Sequence, residues 1–390
     1  MTAISKRVVV AMSGGVDSSV AAALLVEQGY EVIGVMMRLW AEGHVLSSSR
    51  RDPAEGTNRC CAPEAVEDAR RVAAHLGIAF YLVNYETEFK RCVVDYFVDE
   101  YCQGRTPNPC LACNRHIRFG RLLRHAQALD ASYLATGHYA RVDRASGRFR
   151  LRTGADPQKD QSYVLYMLGQ EELNQVLFPV GGYTKTQVRS MARQRNLPVA
   201  EKDESMELCF VSDDDYRRFL QTHAPEAVQP GPILDTAGNE IGRHHGLPFY
   251  TVGQRRGLGI AAPEALYVIR LDLARNALVV GPSRKLGQRA LEAGQVCYAS
   301  GEPPSEPVRV QAKIRYKATL ASATWTALEE GQARVVFDAP LRDITPGQAV
   351  VAYQESEVLA GGIIDYVPAS DLAGPGSEGK PALGQGDQHA

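Results

Sequence analysis

The chain has 390 residues, 45% of them hydrophobic and 23% charged, with a formal net charge of −2. Its length implies two or three domains, its core needs no covalent staples, and eight cysteines are too few for a disulfide scaffold. No apolar run reaches the roughly 18 residues of a membrane span, and Met1–Lys6 does not read as a signal peptide. The expectation is a cytoplasmic protein without membrane partners, in which a cysteine that matters does chemistry or binds metal.

The first half alternates strands and helices. Arg7–Met12 reads as a buried strand, and Ser18–Gln28 as a helix with Val20, Ala23 and Leu24 on one face and Gly29 past its end. Glu31–Met37 is a second strand. Residues 41–59 are polar and read as a mobile insertion. Pro63–Leu76 is a helix opened by proline and closed by Gly77. Phe80–Val83 (strand), Phe89–Tyr101 and His116–Leu129 (helices) and Tyr133–Thr136 (strand) follow. This order predicts an α/β nucleotide-binding domain with a parallel sheet covered on both faces.

After Pro198 helix signals thin out. Residues 230–273 are rich in turns, and short alternating strands at Val308–Lys317, Ser322–Leu328, Gln332–Asp338, Gln348–Tyr353 and Val358–Val367 predict a small β-barrel. Leu372–Ala390 is rich in Gly, Pro and Gln, with no apolar period, and is expected to be disordered. The domain boundaries expected are 1–205 for the catalytic domain, 206–280 for a small central domain, 281–368 for the barrel and 369–390 for the tail.

The strongest local signal is Ser13–Gly14–Gly15–Val16–Asp17–Ser18–Ser19, between the first strand and its helix. Two glycines let the backbone turn so that successive N–H groups face one concavity. The helix dipole and the serine hydroxyls add to the pull on an anion. A second phosphate-like run, Gly374–Lys380, has P-loop spacing. Pro381 stands where Ser or Thr should hold magnesium, with no strand before it or helix after it, so it is a chance match.

The cysteines leave more alternatives. Cys110 and Cys113 have CxxC spacing inside Arg105–Asn114, which two prolines should hold extended before the basic helix 116–129. A thiol at a helix N-terminus beside arginines should be nucleophilic, but the spacing equally suits half of a zinc site. Cys209 alone reads as a small buried hydrophobe. Basic residues cluster at 115–125, 243–256 and 313–317, where solvated surface is the plainest reading.

The loop resembles the pyrophosphate loop of N-type ATP pyrophosphatases, which cleave ATP between the α and β phosphates and lack a P-loop lysine. Further segments extend the likeness: Gly34–Trp40, GRTPNPCLACNRHIRFG, ATGHYAR, KDQSYVLY, Leu208–Cys209–Phe210, YTVGQRRGLGI and Thr345–Gln348. In this order they resemble the bacterial tRNA-uridine 2-sulfurtransferase (2-thiouridylase) family, over about residues 6 to 368.

The resemblance implies ATP with Mg2+ bound at Ala11, Met12, Ser13, Gly14, Gly15, Val16, Asp17, Ser18, Met37 and Gly137. It implies a flipped target base at Asn108, Pro109 and Cys110, and tRNA contacts at His138, Lys159, Asp160, Gln161, Arg315, Tyr316 and Gln348. It makes Cys113 the nucleophile and Cys209 the persulfide carrier, with a Cys113–Cys209 disulfide in the cycle. The partners implied are a tRNA with a wobble uridine and a protein that donates persulfide sulfur. Some members carry Asp where this chain has Cys110, so an essential carboxylate there is in doubt. Cys110, Cys113 and Cys209 as ligands of an iron–sulfur cluster are the alternative chemistry. Other adenylating pyrophosphatases, or a non-catalytic RNA- or metal-binding protein, are the alternative functions.

Overall fold

The structure, a computed structural model, describes residues 6–40, 42, 63–203, 208–211 and 213–367. The insertion at 41–59, apart from Glu42, and the tail from 369 lie outside the described residues.

Five strands form a parallel sheet in the order Ala79–Asn84, Glu31–Arg38, Arg7–Met12, Tyr133–Ala135, Val176–Leu177. The central strand has Val8, Val9 and Val10 fully buried, which is why it reads as an unbroken apolar run. The chain winds outward from Arg7–Met12 on one side, then crosses to Tyr133–Ala135 on the other. The switch of direction opens a crevice at the carboxyl ends of those two strands, where open α/β sheets bind ligands.

Helix Pro63–Leu76 buries Ala65, Ala69, Val72 and Ala73, a single face at helical spacing. Helix Val16–Glu27 starts from the Gly15 cap and is buried over most of its length. A helix at Lys185–Gln194, not anticipated from sequence, packs beside it. Its start was marked by a capping box, in which Thr184 Oγ1 accepts from Gln187 N at 3.3 Å while the Gln187 side chain accepts from Thr184 N at 2.8 Å.

The segment expected to be an extended loop before helix 116–129 is already helical. Helical structure runs from Pro109 through Ala128, with a π-type stretch at Cys113–Leu122. Proline fits the first helical position because its missing N–H has no intrahelical partner there, and Asn108 supplies the N-cap. Cys110 and Cys113 therefore ride on the helix itself.

Beyond residue 216 a four-stranded sheet orders Leu266–Asp272, Ala277–Pro282, Gly231–Leu234 and Glu240–His244. The barrel has six strands, since Gln288–Tyr298 pairs with both Ala333–Leu341 and Glu357–Tyr366 and closes it around Trp325, Val335, Phe337, Leu291 and Ile364. The hairpin Ala140–Ala145/Arg148–Thr153 belongs in sequence to the first half but hydrogen-bonds to the barrel edge. Glu357 is in register with Arg152, and Thr153 N donates to Ser356 O at 2.8 Å.

Candidate active site

The Ser13–Ser18 loop lies in the crevice. Gly14 has φ +68°, and a Cβ there would come within 2.3 Å of Ala65 O, so no other residue fits. Ser18 Oγ accepts from Ser13 N and donates to Gly15 O, both at 3.2 Å, which holds the turn closed. Gly137, just past the strand Tyr133–Ala135, packs so tightly that a Cβ would lie 2.7 Å from Ser18 N. Ala11, Met12 and Met37 are buried in the strands beneath, and Val16 opens the helix.

Three residues at this loop were not legible in the sequence. Lys185 Nζ donates to both Asp17 oxygens, at 2.7 and 2.8 Å, and Tyr139 OH donates to Asp17 Oδ1 at 2.8 Å. Lys202 Nζ donates to Gly14 O at 3.0 Å and to Asp68 Oδ2 at 2.6 Å. A loop without its own lysine is thus flanked by two ammonium groups from far along the chain. Lys202 also ties the start of the segment leading to Cys209 onto the phosphate loop.

The thiols sit on the neighbouring helix. Asn108 Oδ1 accepts from Cys110 N at 3.1 Å, so this expected base contact is also the cap of the helix. Pro109 is buried, Cys110 is exposed and Cys113 is 6% exposed. The adjoining Asn114 is fully buried, with Nδ2 donating to Val164 O at 2.8 Å and Oδ1 accepting from Arg118 Nη1 at 2.9 Å. Cys113 belongs to the largest apolar core, and half-buried Leu208 and Cys209 pack on that core beside Phe210, which meets Phe89, Phe97 and Phe219 edge-on. Burial raises the Cys102 and Cys297 thiols, as expected of structural cysteines.

Arg115, Arg118 and Arg121 of the basic helix have partners within the protein. Arg115 Nη1 donates to Gln295 Oε1 at 2.9 Å, and Arg121 is paired with Glu88.

Most residues implied as tRNA contacts gather between this helix and the barrel. Tyr139 N donates to Gln161 Oε1, and Gln161 N to Tyr139 O, both at 2.9 Å. Asp160 is buried, its carboxylate accepting from Gly154 N, Ser162 N and Ser162 Oγ at 2.9 to 3.1 Å, with Lys313 Nζ 3.7 Å away. Burial pushes the Tyr316 phenol up to about 12, with smaller contributions from Asp160 and Cys110. Lys159 is half-buried. Gln348 Nε2 donates to Thr106 O at 2.7 Å. Arg315 points into the protein, with Nη2 bonded to Thr345 Oγ1 and to Val252 O, and its buried Nε finds no acceptor among the described residues.

His138 is 8% exposed, with Nδ1 2.7 Å from Thr136 Oγ1 and its ring between Phe119 and Phe178. Burial, helped by Arg118, lowers its pKa to about 3, so the imidazole is neutral and brings no charge to a phosphate. The unfolded chain takes up a proton near pH 6.5 that the folded chain refuses until about pH 3. Stability should therefore be full above pH 6.5 and fall as pH drops through this window, by up to about 1.4 kcal/mol per pH unit from this one group. Denaturant titrations of the parent and of His138→Gln between about pH 4 and 7 check this. The variant should show a flatter acid limb, and equal slopes would show that His138 does not contribute.

Among the described residues no three His, Cys, Asp or Glu side chains are grouped to hold a metal ion, so Cys110, Cys113 and Cys209 are not arranged as three cluster ligands. No helix of the described residues is long and apolar enough to cross a membrane.

Three family models match in succession: tRNA methyl transferase HUP domain at residues 6–213, tRNA methyl transferase PRC-barrel domain at 217–282 and aminomethyltransferase beta-barrel domain at 288–364. The chain is 53% identical over 361 residues to the tRNA-specific 2-thiouridylase MnmA of Moorella thermoacetica, covering 92% of this chain and 99% of that protein. It is 50% identical to the proteins of the same name from Pelotomaculum thermopropionicum, over 92% of this chain and 97% of the relative, and Symbiobacterium thermophilum, over 93% of each. With identity at this level over nearly the whole length and all three domains matched in order, the chain belongs to the tRNA-specific 2-thiouridylase family.

Proposed function

We propose that the chain catalyses ATP-dependent 2-thiolation of the wobble uridine of tRNA in the cytoplasm, using adenylation of the uracil C2 oxygen and sulfur delivered as a persulfide on Cys209. The observation that carries this reading is the run of contacts from the phosphate loop to the thiol helix. Asp17 is bonded to Tyr139 and Tyr139 to Gln161, Gln161 O accepts from Val164 N, and Val164 O accepts from Asn114 Nδ2, beside Cys113 on the thiol helix. An α-phosphate held in the crevice and a base held at Asn108–Cys110 would then share one surface.

The chemistry follows from leaving-group ability. The C2 oxygen of uracil is a poor leaving group, and as part of AMP it is a good one. Asp17 is the one carboxylate on the loop, which suits magnesium, an ion that takes one or two carboxylates together with substrate phosphates. Bound there it would neutralise phosphate charge. Lys185 and Lys202 add fixed positive charge beside the departing pyrophosphate. The wobble base comes from a single-stranded loop, where unstacking costs little. The terminal sulfur of the Cys209 persulfide attacks C2, and AMP leaves. Cys113 then attacks Cys209 Sγ, leaving sulfur on the base and a Cys113–Cys209 disulfide that thiols reduce; in the alternative order Cys113 attacks Cys209 Sγ first, forming the same disulfide and releasing sulfide, and the sulfide attacks C2 to displace AMP.

The deciding experiment is mass spectrometry of anticodon nucleosides after incubation with tRNA, ATP and a persulfide donor. The expected products are 2-thiouridine, AMP and pyrophosphate. Thiolation that proceeds without ATP, or none with it, would overturn the reading.

Salt dependence separates the basic residues. Lys159→Ala should weaken tRNA binding and lower the slope of log K against log salt by about one counterion. Arg315→Ala should leave the slope alone and lower the melting temperature, because its guanidinium bonds Thr345 and Val252 O inside the protein. An altered slope in Arg315→Ala would move that residue onto the RNA.

A further inference from the structure

Between Cys113 and Leu122 the thiol helix buries Cys113, Asn114, Ile117, Phe119 and Leu122, and Asn114 is the one amide among them. A buried amide is costly unless both its ends are bonded. Asn114 Oδ1 accepts from Arg118 Nη1 at 2.9 Å, within the helix. Its Nδ2 reaches out of the helix and donates to Val164 O at 2.8 Å.

The segment that receives this bond is itself fixed on several sides. Tyr163 OH donates to Ala349 O of the barrel at 2.8 Å. Ser162 donates through N and Oγ to the buried Asp160 carboxylate. Val164 N donates to Gln161 O at 3.1 Å, Gln161 N donates to Tyr139 O at 2.9 Å, and the Tyr139 hydroxyl holds Asp17 on the phosphate loop. Residues 160–164 are thus anchored to barrel and loop together, and Asn114 ties the thiol helix to them.

The tie falls where the helix alone is least able to fix its own rotation. At Cys113 the backbone ladder changes from the α-type turn Pro109–Ala112 to the π-type stretch Cys113–Leu122. A π-type stretch interrupts the regular i→i+4 pattern and is common at functional sites. Apolar neighbours tolerate small rotations of a helix, whereas a directional bond from a buried amide specifies one arrangement. Cys113 adjoins that amide and is 6% exposed, and its Sγ has to reach Cys209 Sγ for a disulfide to form.

We propose that Asn114 is a positioning residue: through its bond to Val164 O it fixes the rotation of the thiol helix at Cys113, and so the direction from which the Cys113 thiol meets Cys209. In the step affected, the Cys113 thiolate bonds to Cys209 Sγ, and the sulfane sulfur leaves with the electron pair of the broken S–S bond, on the base or as sulfide. The activity arm of the test rests on the proposed thiolation; the thiol arm does not.

The test uses the full chain with two substitutions. Asn114→Leu removes both bonds at similar volume. Asn114→Asp keeps the acceptor for Arg118 and removes only the donor to Val164 O. Four quantities are measured: single-turnover 2-thiouridine formation at saturating tRNA, pyrophosphate release on the same sample, tRNA affinity, and the alkylation rates of Cys110 and Cys113 by iodoacetamide, mapped by peptide mass. Misplacing a reacting group by about an ångström costs up to about a hundredfold in rate, so both variants should thiolate on the order of tenfold more slowly or worse. Pyrophosphate release and tRNA affinity should stay within about twofold of the parent. Cys113 should alkylate several times faster, with Cys110 unchanged. A residue that only supports the fold would lower thiolation and pyrophosphate release together, and that result would overturn the proposal. So would parental thiolation in Asn114→Asp, or unchanged Cys113 alkylation in both variants. If the parent makes no 2-thiouridine, the thiolation reading fails, and a selective gain at Cys113 still supports the positioning role. Should Asn114→Leu not fold, Asn114→Asp alone decides.

Discussion

Cys113→Ser and Cys209→Ser are each expected to abolish 2-thiouridine formation, by at least about a thousandfold, while tRNA-dependent pyrophosphate release continues. Cys110→Ser is expected to retain substantial activity. A serine oxygen cannot carry a sulfane sulfur or exchange with one, so neither role has a substitute. The exchange of oxygen for sulfur is nearly isosteric, and Cys113 lies within a helix held by Asn114 on both sides, so the fold should survive. In the proposed route adenylation precedes sulfur transfer, which is why pyrophosphate release should persist. The measurement is nucleoside mass spectrometry beside a pyrophosphate assay on the same sample. Parental thiolation by Cys113→Ser would remove it from the reaction. Anaerobic protein with stoichiometric iron and sulfide, whose activity is lost in Cys110→Ser, would instead revive the cluster chemistry.

Cys110 matters here because it shares the thiol helix with Cys113 and differs from it in exposure. It is exposed, whereas Cys113 is buried, so one turn of helix separates a thiol that faces solvent from one that packs on the core.

What the sequence made legible was local. The Ser13–Ser18 loop, its strand and its helix are contiguous, so their spacing carried the geometry. Helix Pro63–Leu76 was readable because its proline, apolar face and Gly77 agree. The start of the thiol helix was misplaced because two prolines argue for extended chain, whereas Asn108 and Pro109 together make a helix start. Strand Gln288–Tyr298 escaped because its burial does not alternate and its pairing slips register twice against Glu357–Tyr366. Nothing local marks Lys185 or Lys202 as site residues, since their partners on the loop lie 168 and 188 residues away. Only the closed fold brings them together. Arg315 and His138 show the converse: their residue types invite an RNA reading, and their burial gives them structural partners.

Lys185→Met should reduce tRNA-dependent pyrophosphate release by about a hundredfold or more, comparable to Asp17→Asn. The loop has no lysine of its own, and Lys185, at the first position of its helix, reaches Asp17 from the helix packed beside the one the loop opens. Both side chains are largely shielded from solvent, at 16% and 32% exposure, and Tyr139 donates to the same carboxylate, so the ammonium is fixed. Fixed charge beside a leaving group stabilises developing negative charge without reorganisation. In Lys185→Met the Asp17 carboxylate keeps Tyr139 but loses its counter-ion, and in Asp17→Asn the ammonium loses its anchor. For stability the two changes should couple, with the double variant costing less than the sum of the singles, because one pair is removed either way. For activity they should not rescue each other, since on the proposed reading the carboxylate would hold magnesium and the ammonium the pyrophosphate. Thermal melts and pyrophosphate release on the parent, both singles and the double variant read out the two cycles. Parental pyrophosphate release in Lys185→Met would show that the ammonium only buttresses the loop. A double variant more active than Lys185→Met would show that the charge pair, and not the lysine, is what the reaction requires.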